Sequence, residues 1–152
     1  MKLGTTKYSY RSDQTVPKFS DRGPFTIMDA QCSVCARGAK WIARNDEACE
    51  FKIIPLQSKL GHALMCHYGL NPDDPLSWLY LEDGVAYGSM EAVIRVGARL
   101  GGKWRALRIL RILPRQVQDA LYGFVARHRY KFGGTVTICN MPDADVKERI
   151  LE

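Results

Sequence analysis

Two cysteines three positions apart, Cys32 and Cys35, stand where the period of the sequence changes, and that change constrains the fold more than any other feature. Before them, Phe25-Thr26-Ile27-Met28-Asp29 reads as a short apolar strand. After them, Cys35, Ala39, Ile42 and Ala43 recur at helical spacing, while Arg37, Lys40 and Arg44 share the other side. Two thiols at a strand-to-helix turn form a redox couple: one attacks a disulfide, the other resolves the mixed intermediate. The helical stripe predicts that Cys35 turns inward. Cys32, at or beside the cap, meets unpaired N–H groups and the positive end of the macrodipole, which favour a thiolate. The expectation is an exposed nucleophile at 32 and a shielded partner at 35. Zinc sites use the same spacing. His62 and Cys66, four apart on one helix face, would complete a Cys₃His set with the pair.

The order of elements extends the strand and helix into a single α/β domain. Phe51 to Leu56 reads as a second strand whose pairing ends near Pro55, and Leu60 to Tyr68 as a short helix closed by Gly69. Ser77 to Leu81 is strand-like, and Asp83-Gly84 predicts a type I′ hairpin into Val85-Ala86-Tyr87. Ser89 can cap a helix carrying Val93, Val96 and Leu100, which Gly101-Gly102 ends. Trp104 to Leu113 places an arginine at every third residue of an apolar helix. Pro114 then starts another, with Val117, Ala120, Leu121, Phe124 and Val125 expected on its inner face. Residues 1–23 are polar and without periodicity and read as a flexible arm. Residues 24–152 read as one domain with a helical extension over about 103–133.

The order β-α-β-α-β-β-α with a dithiol opening the first helix is that of the thioredoxin fold. Asp29-Ala30-Gln31-Cys32-Ser33-Val34-Cys35 resembles the Asp-x-x-Cys-x-x-Cys signature of the DCC family of predicted thiol-disulfide oxidoreductases. Pro55-Leu56-Gln57-Ser58, Gly88-Ser89-Met90-Glu91-Ala92, Leu113-Pro114-Arg115 and Ala126 to Gly133 are similar to further parts of that family's pattern. The resemblance implies a thioredoxin-like core with additional C-terminal helices, and a dithiol chemistry. The chain departs from the pattern at Ala30, where members usually carry glycine. The cis-proline that thioredoxin-like enzymes set before the third strand would fall near Leu76, whereas the proline here is Pro75.

Asp29 has two readings. A carboxylate beside Cys32 disfavours a thiolate there, so it either accepts the proton of Cys35 during resolution or caps the turn. Charge is concentrated late in the chain. The whole sequence carries +6, and the stretch Arg95–Lys131 holds ten Lys or Arg against one acid, Asp119. That stretch is either a solvated face on a packed helical addition or a surface for an anionic membrane or partner. No RNP, zinc-finger or helix-turn-helix signature points to nucleic acid. The expected partners are a disulfide-containing protein or a low-molecular-weight thiol such as glutathione, with no cofactor. Five cysteines without framework spacing, no apolar run long enough to span a bilayer and no apolar leader segment lead to a cytoplasmic expectation.

Overall fold

A computed structural model describes residues 2–4, 6–73, 78–128, 131 and 144–151. The Pro75-Leu76 position, Cys139 and part of the 103–133 extension lie outside the described residues. The elements run β1 (Lys2–Leu3), a 3₁₀ turn (Ser9–Ser12), β2 (Phe25–Met28), α1 (Ser33–Asn45), β3 (Lys52–Pro55) and α2 (Lys59–His67). They continue with β4 (Leu79–Glu82), β5 (Val85–Gly88), α3 (Ser89–Leu100), a long 3₁₀ helix (Gly102–Ile112), α4 (Arg115–His128) and α5 (Ala144–Lys147). The five strands lie in the order β1-β5-β4-β2-β3. β2 and β3 are parallel, and the other neighbours are antiparallel. From β2 to α3 this is the thioredoxin-like arrangement, with the additional helices following it. Asp83 and Gly84 both have positive φ, as the type I′ hairpin requires. Ser89 differs from expectation: it is the first helical residue, with a φ of 55°, and Gly88 occupies the cap.

Alternate strand residues feed two cores. Met28, Ile53, Tyr80 and Tyr87 pack under α1 and α3; Ile27, Ile54, Leu79, Leu81 and Ala86 pack under α2. A sheet buried on both faces needs two covering layers, and the nine residues of α2 do not cover theirs alone. The N-terminal segment completes the layer with Tyr10 and Val16, both buried, and Phe19 beside them. It also adds β1 to the sheet edge, and the Tyr8 N–H donates to the Gly84 carbonyl at 2.8 Å. The described residues of the 1–23 segment, expected as a loose arm, are thus built into the domain. Their few large side chains carry no period because the elements here, a two-residue strand and one 3₁₀ turn, are too short to show one.

The opposite sheet edge is closed from the C-terminal side. Ile53 and Ile150 form a parallel bridge, and Arg149 pairs with Asp46 where both side chains are almost fully buried. Past Leu100 the expected helix is present, in 3₁₀ form. Trp104, Leu107, Leu110 and Leu113 are the partly covered positions, one every three residues, and a 3₁₀ helix alone keeps such a row on one side. Gly97 of α3 admits this row: a Cβ there would stand 2.4 Å from Leu107 Cδ1. In α4 the face expected to turn inward is exposed, with Val117, Leu121, Phe124 and Val125 all at the surface.

Candidate functional site

β4 runs against β2 and β5 against β4, so β2, β3 and β5 all end at one edge of the sheet. The starts of α1 and α3 and the turn after β3 therefore gather there. The register aligns Met28 with Pro55, and the Leu56 N–H donates to the Met28 carbonyl at 2.8 Å. This brings Gln57 beside the residues that follow β2.

Asp29 is buried, and one of its oxygens, Oδ1, accepts from the Gln31 N–H at 2.9 Å and from Gln57 Nε2 at 2.8 Å. The other end of the Gln57 amide accepts the Ala30 N–H at 3.0 Å. The glutamine thus clasps the turn at two adjacent residues, and Asp29 has the turn-bonding role that sequence offered as one of two readings. Ala30 keeps a φ outside the positive region, so the missing glycine imposes no strain. Gln57 was not singled out for chemistry by residue type. Its signal lay in the stretch Pro55-Leu56-Gln57-Ser58.

Cys32 is the cap residue of α1, with extended backbone, and its carbonyl accepts the Ala36 N–H at 2.9 Å. The exposure of the two thiols is the reverse of the expectation: Cys32 is 0% exposed and Cys35 is half-buried. The reason is which of two helical stripes turns inward. Cys35-Ala39-Ile42 satisfies the spacing, but so does Cys32-Ala36-Ala39-Ala43, and the second row is buried throughout, with Ile42 beside it. Cys35 stands one position off that row. No disulfide joins the pair. The Ser33 hydroxyl, next in the chain, is buried without a hydrogen-bond partner among the described residues.

His62 and Cys66 do share a face of α2, with Cys66 Sγ 3.7 Å from His62 Nδ1. However, α2 covers the sheet face opposite α1, so this pair and the dithiol do not converge. Among the described residues no three His, Cys, Asp or Glu side chains are placed to hold a metal ion.

Where α3 begins, a cavity of about 730 Å³ opens, lined among others by Tyr87, Ser89, Arg95, Arg111, Arg115 and Tyr122. Its charge is partly spent within the protein. Arg95 pairs with Glu91 and Glu82, and Arg111 pairs with Glu91. Arg99, nearby on α3, is held firmly protonated, chiefly by Glu50 and also by Glu82. The basic stretch is therefore less bare than its sequence suggests, because acids from before residue 95 neutralise three of its arginines.

A family model described as DCC1-like thiol-disulfide oxidoreductase matches residues 26–135. The chain is similar to the uncharacterised protein YuxK of Bacillus subtilis, 32% identical over 125 residues, which are 82% of this chain and 91% of the relative. It is also similar to a chloroplastic DCC family protein of Arabidopsis thaliana, 30% identical over 122 residues, which are 80% of this chain and 71% of the relative. No solved structure matches. With its dithiol capping the helix that follows β2, and a family match running from that strand into the helical addition, the chain belongs to the DCC1-like thiol-disulfide oxidoreductase family.

Proposed function

We propose that Cys32 and Cys35 are the exchanging dithiol, Cys32 attacking a substrate disulfide and Cys35 resolving the mixed disulfide. The observation that carries this reading is the position of Cys32 at the cap of α1, where first-turn N–H groups and the helix dipole favour a thiolate. Its burial adds a condition. Attack requires the Asp29–Gln31 turn to open, and the Gln57 clasp sets how readily it does. In this reading Asp29, within the same turn, takes the proton of Cys35 during resolution. The internal disulfide left on the protein is reduced again by a low-molecular-weight thiol, as a cytoplasmic setting would supply. The arginine-lined cavity at the same sheet edge suits a thiol or disulfide carrying carboxylates, glutathione among them.

Trapping tests the roles. In Cys35→Ser a mixed disulfide should accumulate on Cys32, and Cys32→Ser should lose exchange by about 100-fold or more. An adduct accumulating on Cys35 in Cys32→Ser would reverse the order. Exchange at the wild-type rate in both variants would remove the dithiol from the function.

A second reading has its own observation. Among the described residues, the large hydrophobic side chains that are exposed, from Ile109 to Val125, lie in the long 3₁₀ helix and α4, among arginines. That surface suits an anionic membrane, whether or not the dithiol is active.

A further inference from the structure

On the sheet face away from the dithiol, three polar side chains distant in sequence meet. Ser9 Oγ lies 2.8 Å from His67 Nε2, and His67 Nδ1 lies 2.6 Å from Asp13 Oδ2. The other Asp13 oxygen accepts from the Thr15 N–H at 2.9 Å and the Thr15 hydroxyl at 2.6 Å. Those bonds, the Thr15 hydroxyl first and His67 next, hold the Asp13 carboxyl down at about 2, so it is ionised and can only accept. Nδ1 is therefore the ring nitrogen that donates to Asp13, and in the neutral ring Nε2 faces the Ser9 hydroxyl as an acceptor. Nucleophile, base and orienting carboxylate stand in the order that activates a serine. Spacing along the chain gave no hint of this, because Ser9 and Asp13 reach His67 only through the docking of the N-terminal segment.

The surroundings suit a reaction as well as a clasp. Tyr8 precedes the serine with a φ of 55° and is tied to the Gly84 carbonyl, and the His67 ring is held edge-on to Tyr68, 4.8 Å between centroids. Ser9 and His67 line a cavity of about 280 Å³ together with Gly4, Thr6 and Tyr68. The Tyr68 hydroxyl is buried and makes no hydrogen bond of good geometry among the described residues. Burial raises its pKa and nearby Ser9 draws it only partly back, so it stays a protonated donor beside the nucleophile. Such a donor is what a developing oxyanion needs.

We propose that Ser9, His67 and Asp13 form a second reactive site, one that hydrolyses small carboxylic esters with the Tyr68 hydroxyl as oxyanion donor. Ser9 Oγ forms a bond to the ester carbonyl carbon, its proton passes to Nε2, and the carbonyl electron pair moves onto oxygen. Collapse breaks the ester C–O bond, and Nε2 returns the proton to the departing alkoxide. Water then attacks the acyl-serine by the same route, releasing a carboxylic acid and restoring Ser9. No electrons are gained or lost, so the site is independent of the dithiol. Ser9 and Asp13 precede residue 26, outside the family match, which makes the site a property of this chain's N-terminal segment.

The test is a fluorophosphonate probe on the full chain, with the adduct located by peptide mass spectrometry. This probe reports serines and leaves the thiols aside. The expected result is a Ser9 adduct that forms faster than on any other serine and is lost in Ser9→Ala. The rate should fall about 100-fold in His67→Gln and substantially in Asp13→Asn. Tyr68→Phe should reduce turnover of p-nitrophenyl acetate more than its KM. A wild-type protein unlabelled at Ser9, or labelled equally fast in a folded His67→Gln, would overturn the proposal and leave the three as a clasp for the N-terminal segment. Should a variant fail to fold, the adduct map of the wild type decides alone.

Discussion

Two single residues show how differently chemistry is written at this scale. Gln57 is exposed and unremarkable by type, yet its amide joins Asp29 to the Ala30 N–H in the turn that precedes the buried Cys32. Gln57→Ala removes both bonds. It should cost about 1–2 kcal/mol of stability and raise the rate at which iodoacetamide alkylates Cys32 several-fold. Unchanged alkylation would show that the clasp does not control the opening of the turn. Asp13 makes the second case through pH. Its carboxyl is held at about 2 in the fold, below the ~3.9 of an unfolded chain. A depressed acid contributes stability that is fully present above the unfolded value and is lost as pH falls through the folded one. The N-terminal segment should therefore loosen between about pH 4 and pH 2, seen as faster proteolysis or amide exchange at Tyr8 to Ser12, and Asp13→Asn should lack that step. The dithiol itself was legible from type and spacing. Which sulfur is buried was not, because two overlapping rows of small residues fit the same helix.

Elements were legible where their period was regular and their ends were marked. β2, β3, the hairpin and α1 to α3 fall within a residue or two of their expected bounds, because glycines, Ser58 and alternating apolar runs fix them. The segment after Gly101 shows what a period alone leaves open. Arginines at 105, 108 and 111 mark a helix without saying of which kind, and the same three-residue repeat places Trp104, Leu107, Leu110 and Leu113 in a row. Packing that row against α3 selects the tighter 3₁₀ helix. Gly97 is the condition for this choice, since an added methyl would press on Leu107 and stand 3.0 Å from the Trp104 carbonyl oxygen. Gly97→Ala should lower stability by about 1–3 kcal/mol and expose the segment 102–113 to protease before the sheet unfolds. A variant as stable and as resistant as wild type would mean that the 3₁₀ helix does not depend on that close approach.

At the scale of the whole molecule, folding leaves one surface unfinished. Both sheet faces are covered, and the two-residue β1 and the Ile53–Ile150 bridge extend the sheet at its two edges. Among the described residues, the large apolar side chains still open to solvent are Ile109 at 67%, Ile112 at 82% and four of α4. Val117, Leu121, Phe124 and Val125 recur at the spacing of one helix face. The same stretch, 103–128, holds six cations and a single acid, Asp119, and among the described residues Arg111 pairs with Glu91. A second copy laid on this surface would oppose like charges, whereas an anionic bilayer meets the cations with headgroups and the apolar side chains with acyl chains. Completing the burial of one such side chain contributes about 1 kcal/mol. The double variant Leu121→Ser, Phe124→Ser should therefore bind phosphatidylglycerol vesicles about 30-fold more weakly than wild type, with its circular dichroism unchanged. Arg105→Gln with Arg108→Gln should weaken binding at low salt and matter less as salt rises. Co-sedimentation checks both: equal binding to purely zwitterionic vesicles, or indifference to the serine pair, would show that the apolar face does not enter the bilayer, and a lipid-free dimer dissolved by the same pair would assign the surface to a second copy.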